Sequence, residues 1–159
     1  MKFVLNLRKN QAEMLSEMGR KLTARDAMTK PIFIYPKDEV DKILNKLKRE
    51  DTSVCLVVTK EKKFIGEISD NDIIKLFMQQ VKNEPLTQVL NIGYKREFNY
   101  KTAKELVNKH KSTVQLNTPI NEVIKLVYSE DFNYIPVLDN NKKVIGVITP
   151  SSIIGLLSR

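Results

Sequence analysis

The chain repeats itself at a fixed offset of 80 residues. Val40, Ile43, Leu44 and Leu47 return as Ile120, Val123, Ile124 and Val127. Lys62-Lys63-Phe64-Ile65-Gly66-Glu67-Ile68-Ser69 returns as Lys142-Lys143-Val144-Ile145-Gly146-Val147-Ile148-Thr149. The register holds without a gap from Ile34/Val114 to Leu76/Leu156; upstream it slips to 79, where Thr23-Ala24-Arg25-Asp26 matches Thr102-Ala103-Lys104-Glu105. A duplicated unit of this size constrains the fold to two similar modules sharing a core. In a chain of 159 residues, each half is near the lower size at which a core suffices alone, so the halves are expected to pack on each other. Two related modules also imply two related clefts, whose differences show which can bind.

Each copy reads as β-α-β-β-α. A short helical turn (Ala24–Met28, then Ala103–Val107) leads into a short apolar strand (Ile32–Tyr35, then Val114–Leu116). A helix with apolar residues at i, i+3, i+4 and i+7 follows. Asp38 is placed to cap the first of these helices, and Thr118 followed by Pro119 the second. Two strands joined by polar turns come next, Val54–Val58 with Phe64–Ile68 and Tyr134–Leu138 with Val144–Ile148, as in a hairpin. A last helix begins near Ser69 or Thr149. The chain thus divides into an N-terminal helix or extension (1–21), a first repeat (22–80), a connector (81–101) interrupted by Pro85 and Gly93, and a second repeat (102–159). In the N-terminal helix Leu5, Met14 and Met18 form an imperfect apolar stripe.

Charge and cysteine content bound the chemistry. The net charge of +8 is concentrated in residues 1–21, with five basic and two acidic side chains, and 79–111, with seven and three. These segments suit phosphates, nucleic acid or acidic lipid, or are simply solvated basic stretches. The single cysteine, Cys55, lies among Val54, Leu56, Val57 and Val58; it excludes an intrachain disulfide framework and reads as a buried structural thiol. No apolar run approaches the length of about 18 residues that spans a membrane. The N-terminal apolar stretch is too short for a signal peptide. The expected location is the cytoplasm, or the cytoplasmic side of something larger.

The strand Ile135-Pro136-Val137-Leu138-Asp139, the Gly-x-x-Ser/Thr stretch after each hairpin and the helix just beyond it, in the same order twice, resemble the CBS domain. The tandem over about residues 22–159 resembles a CBS pair, or Bateman module. The resemblance implies an α/β (α+β) fold in which the two repeats pack pseudo-symmetrically through their sheets, leaving two clefts. It implies binding of an adenosine-containing ligand of the AMP, ADP or ATP class, or S-adenosylmethionine or cyclic di-AMP. It also implies a regulatory module without catalysis or an enzyme cofactor, and homodimerisation through helices such as 71–79 and 151–158. An unidentified effector protein is a further expected partner.

The physical reading of the site stands beside the resemblance. In Gly66-Glu67-Ile68-Ser69-Asp70-Asn71-Asp72 a strand end meets a helix start, and Ser69 with Asp72 forms a capping box. The same helix start offers free amides to phosphate, and Asp72 can accept from both hydroxyls of a ribose diol. The second copy keeps Thr149, gains Pro150 and replaces the carboxylate with Ser152, which cannot accept from two hydroxyls in the same way. One competent and one weaker cleft are expected. By the resemblance, the first is completed by Lys111, Ser112, Thr113 and Val114 and by Phe132, Asn133, Tyr134 and Ile135. His110 and Lys111 can approach the phosphates, although the default reading of this lone histidine is an exposed loop residue. The weaker cleft uses Thr149 and Ser152 with Pro31, Ile32, Ser53 and Val54.

Two other function classes compete with a ligand sensor. A ligand-free dimerisation platform is favoured by Ser152 and opposed by Asp72, Ser69, His110 and Lys111. Nucleic-acid binding would use the basic segments, but no helix-turn-helix, zinc knuckle or aromatic RNA-binding motif accompanies them. No Ser-His-Asp set, cysteine–histidine cluster, Walker loop or metal-ligand cluster points to an enzyme, and Tyr94 has no acid–base partner.

Overall fold

The periodicities of the sequence settle into one element order, met twice. A computed structural model of the chain describes residues 1–50, 53–91, 101–109, 112–130 and 132–159. In it α1 (Lys2–Lys21) and the short α2 (Ala24–Ala27) precede β1 (Phe33–Ile34), α3 (Val40–Arg49), β2 (Val54–Val58), β3 (Phe64–Ser69) and α4 (Asp70–Asn83). After α5 (Leu86–Val89) come α6 (Ala103–Leu106), β4 (Val114–Gln115), α7 (Ile120–Glu130), β5 (Ile135–Leu138), β6 (Val144–Ile148) and α8 (Pro150–Leu157). This is the expected mixed α/β architecture of two β-α-β-β-α repeats with an added N-terminal helix. Pro85 interrupts the connector as expected: α4 runs on to Asn83 and stops at the extended Glu84, and Pro85 stands at the N-cap of a separate short helix, α5. Gly93 and Tyr94 lie outside the described residues.

The chain forms two compact units whose boundaries differ from those of the sequence repeat. Residues 31–111 form one, called here the Asp72 unit; residues 1–30 with 112–159 form the other, the Ser152 unit. In the Asp72 unit β1 is parallel to β2 and β2 antiparallel to β3; β4, β5 and β6 repeat this order in the Ser152 unit. The β2 residues are buried throughout, as suits a strand covered on both faces. Register shifts recur at matching places, between Val57 and Val58 and between Val137 and Leu138. Both hairpin loops hold a non-glycine residue at positive φ, Lys62 at 66° and Lys142 at 63°.

Each unit is completed by a lead-in segment that precedes the other unit's repeat in sequence. Ala24 and Ala27 of α2 are buried among Ile120, Val123, Ile135 and Ile148. Thr29 then pairs with Val147 of β6, its N–H donating to the Val147 carbonyl at 2.9 Å and its carbonyl accepting from Val147 at 3.0 Å. In the same way Ala103 of α6 joins the core of Ile34, Val40, Ile43, Val57 and Ile68, and Asn108 pairs with Glu67 of β3 at 3.0 and 2.9 Å.

Two expected caps are corrected. Glu39, not Asp38, occupies the N-cap of α3; Asp38 instead accepts from the Tyr35 N–H at 2.9 Å and pairs with Lys42 at 3.0 Å. Thr118 accepts from the Gln115 N–H at 3.0 Å. Both side chains close the turn after a first strand, a local bond that competes with capping the helix ahead. In α1, Leu5 and Met14 of the expected stripe are exposed, and the side chain of Met18 lies outside the described residues.

Candidate functional site

The strongest polar constellation in the Asp72 unit forms where β3 turns into α4. Ser69 is extended (φ −101°, ψ 166°) and caps the helix, its hydroxyl accepting from the Asp72 N–H at 3.3 Å. Asp72 Oδ2 accepts from the Ser69 N–H at 2.8 Å and from the Ser69 hydroxyl at 2.9 Å. The capping box read from the sequence is therefore present, and it fixes one carboxylate oxygen. A third donor is the Asn108 side-chain amide, 2.8 Å from the same Oδ2. Oδ1 takes no partner among the described residues. The site thus offers an anchored carboxylate, one oxygen of which still accepts, beside the first turn of a helix of 14 residues.

Asn108 is the site residue that the sequence reading missed. Extending the 79-residue register upstream of the gap aligns it with Thr29, and that difference coincides with Asp72 against Ser152. Asn108 can reach because its backbone is clamped to Glu67 against the flat back of Gly66, where a Cβ would stand 2.1 Å from the Asn108 oxygen. Here glycine is required by close approach, not by backbone dihedral.

The equivalent place in the Ser152 unit is spent on itself. The Thr149 N–H donates to Ser152 Oγ at 2.9 Å, and the Ser152 N–H donates to Thr149 Oγ1 at 3.1 Å. Ser152 Oγ donates its only proton to the Thr149 carbonyl at 3.0 Å. Thr29 likewise turns its hydroxyl to the Val147 carbonyl at 3.2 Å. This cap holds no charge, and its serine is committed to the helix start.

The other residues expected around the two clefts are distributed as follows. Ser112 and Thr113 are half-buried and lead into β4, where Val114 is buried in the Ser152 unit's core. Phe132 packs against that core half-buried, Asn133 is exposed, and Tyr134 and Ile135 are buried at the start of β5. Ile135 pairs with Ile148, which brings it beside the Thr149 cap of its own unit. In the Asp72 unit Pro31 and Ile32 are half-buried; Val54 pairs with Ser69, and the Ser53 carbonyl accepts from the Asp70 N–H at 2.9 Å. Ser53, Val54, Ser69 and Asp72 are thus brought together at one end of that sheet. Lys111 and His110 lie outside the described residues.

A polar depression of about 160 Å³ in the Ser152 unit, lined by Arg25, Gln115, Asn117 and Asp139 among others, lies at the opposite end of β5 from Ile135. Its Asp139 is part of the hairpin turn, Oδ1 accepting from the Asn141 and Lys143 N–H groups at 2.8 and 2.9 Å. Among the described residues no group of three or more His, Cys, Asp or Glu side chains gathers to hold a metal ion, and no helix is long and apolar enough to cross a membrane.

The CBS domain family model matches residues 24–79 and 103–159, and the chain belongs to that family. No protein of curated function matches it. Solved structures similar to it include CBSX2 in complex with AMP, 22% identical, with a TM-score of 0.68 over 86% of this chain and 96% of that one. The CBS domain pair of protein MJ0100, in complex with 5′-methylthioadenosine and S-adenosyl-L-methionine, is 20% identical, with a TM-score of 0.68 over 86% and 96%. The CBS domain of a CBS domain containing membrane protein from Sphaerobacter thermophilus is 14% identical, with a TM-score of 0.75 over 94% and 96%. At these identities the likeness is one of fold.

Proposed function

We propose that this chain is a regulatory module that senses an adenosine-containing ligand of the AMP, ADP or ATP class, without catalysis. Ser69 and Asp72 take the ribose at the start of α4. The observation that carries the proposal is the Asp72 carboxylate, held by Oδ2 with Oδ1 free of partners among the described residues. A charged acceptor makes stronger hydrogen bonds to hydroxyls than a neutral one does. The similar structures that hold AMP in one case and 5′-methylthioadenosine with S-adenosyl-L-methionine in another share an adenosine moiety. The chain's net charge of +8 favours the nucleotide class. Binding acts by favouring one arrangement of the protein over another, to the extent that the ligand's affinity for the two differs.

The test is calorimetric titration of the wild type, Asp72→Ala and Ser152→Ala with AMP, ATP, S-adenosylmethionine and cyclic di-AMP. Asp72→Ala is expected to weaken binding roughly ten- to a hundredfold, since a hydrogen bond to a charged group contributes about 1.5–3 kcal/mol. Ser152→Ala is expected to change it far less. Equal losses would remove the asymmetry between units. A wild type that binds none of these ligands would favour a ligand-free dimerisation platform.

The module is also proposed to form a homodimer through α4 and α8. Ile74 and Ile154, one repeat apart, are 57% and 65% exposed on these helices, and Met78 and Leu157 are exposed as well. The same apolar exposure in both copies fits a second molecule of this chain. Sedimentation equilibrium decides this: a wild type that stays monomeric at every concentration reached would refute it.

A further inference from the structure

We propose that Asn108 determines how the Asp72 carboxylate reads a ribose: its amide closes Oδ2 to the ligand, leaving Oδ1 to accept a single hydroxyl. The inference rests on the adenosine-binding reading above and sharpens it. Each oxygen of a carboxylate has about two lone-pair directions. Oδ2 already takes three donors, the Ser69 N–H, the Ser69 hydroxyl and the Asn108 amide, at 2.8, 2.9 and 2.8 Å. A vicinal diol therefore cannot bridge both oxygens while Asn108 is in place. One hydroxyl meets Oδ1; the other has no carboxylate partner.

The placement of Asn108 is built by the fold. Its backbone makes two hydrogen bonds to Glu67, at 3.0 and 2.9 Å, and the adjoining Gly66 leaves the space it occupies. The amide is thus delivered to Oδ2 from a fixed segment and not from a freely moving surface side chain.

The Ser152 unit supplies an internal comparison. Thr29 makes the same pair of backbone bonds to Val147, at 2.9 and 3.0 Å, yet its hydroxyl bonds the Val147 carbonyl and not Ser152. The fold therefore accepts threonine at this position. Amide and carboxylate occur together in one unit and are both missing from the other. A pair that packing does not demand is explained by a task at the carboxylate.

With Asn108 replaced, Oδ2 keeps the fixed Ser69 N–H, and once the rotatable Ser69 hydroxyl turns its proton to the ligand one direction on Oδ2 is open to the second hydroxyl; with Asn108 in place that direction stays filled. The experiment titrates the full chain, as wild type, Asn108→Thr and Asn108→Ala, with AMP and its 2′-deoxy and 3′-deoxy analogues. Asn108→Thr installs the residue the other unit carries, so folding is retained; the alanine variant repeats the test without a hydroxyl. In the wild type, removal of one hydroxyl is expected to weaken binding about tenfold or more, and removal of the other less than about twofold. In both variants each deletion is expected to cost more than about threefold. A purely structural role for Asn108 would shift all three affinities together and leave their ratios unchanged. Unchanged ratios in both variants, or equal losses for the two analogues in the wild type, overturn the inference while the adenosine site stands. A wild type that binds none of the three, or an Asp72→Ala variant that binds AMP as well as the wild type, overturns the underlying reading and the inference with it.

Discussion

Cys55 lies wholly buried in β2, within the core formed by Ile34, Val40, Ile43 and Ile68. Burial pushes its thiol from 9.0 up to about 11, with Lys46 pulling it down and Glu50 raising it slightly. At neutral pH it stays protonated, a poor nucleophile and a good core residue. The consequence for stability has a definite sign. Between pH 9 and 11 the unfolded chain loses this proton and the folded chain keeps it, so stability contributed by the thiol is complete below pH 9 and declines as pH rises toward 11. The expected loss at pH 10.5 relative to pH 8 is about 2 kcal/mol from this group. Urea unfolding of wild type and Cys55→Val at both pH values isolates it, because every other group is common to the two proteins. An equal decline in the two would show that the thiol contributes nothing. Around Asp72 a single side chain has the opposite standing: half-buried at a helix start, it is charged, held on one oxygen and open on the other.

The lead-in segments show how one element depends on another distant in sequence. Asn108 and Met28, one from each segment, lie over Gly66 and Gly146. A Cβ on Gly66 would meet the Asn108 backbone oxygen at 2.1 Å; one on Gly146 would meet the Met28 side chain, nearest at its sulfur at 2.6 Å. Backbone anchored by two hydrogen bonds gives way less readily than a methionine. Gly66→Ala is therefore expected to cost about 2–3 kcal/mol and Gly146→Ala about half that, read from thermal or urea unfolding; a larger loss at Gly146 would contradict the clamp. The sequence made the elements legible because apolar spacing, hairpin turns and the caps Ser69 and Thr149 are local signals. Asp38 and Thr118 misled because the same residue types cap helices and close turns, and only the backbone path decides between them. Asn108 was hidden for a different reason: its bond to Asp72 joins residues 36 positions apart, a pairing that no periodicity announces.

At the scale of the whole molecule, the repeat in the sequence and the unit in space are different divisions of the chain. Residues 22–80 hold one β-α-β-β-α copy, but α2 within them buries Ala24 and Ala27 in the Ser152 unit's core. The core of the Asp72 unit instead takes Ala103 from α6, with Leu106 and Val107 packed against it, and β3 takes its Asn108 partner from the same segment. Sequence similarity marks what was duplicated; burial marks what must stay together to fold. A fragment of residues 31–111 keeps that core whole, whereas 22–80 removes α6, leaves the Glu67 N–H and carbonyl without Asn108, and exposes α2. The apolar surface returned to water by losing α6 and its flank is worth about 3 kcal/mol, a large share of what a unit this small can hold. The fragment 31–111 is therefore expected to unfold cooperatively in urea, with a midpoint well above that of 22–80, when both are followed by far-ultraviolet circular dichroism. If 22–80 matched or exceeded 31–111, the exchanged segments would be ornaments on two self-sufficient repeats. If the expected order holds, the hydrogen bond from Asn108 to Asp72 belongs to a segment that its unit needs in order to fold, and the carboxylate proposed to meet a ribose is held by residues contributed from both halves of the sequence.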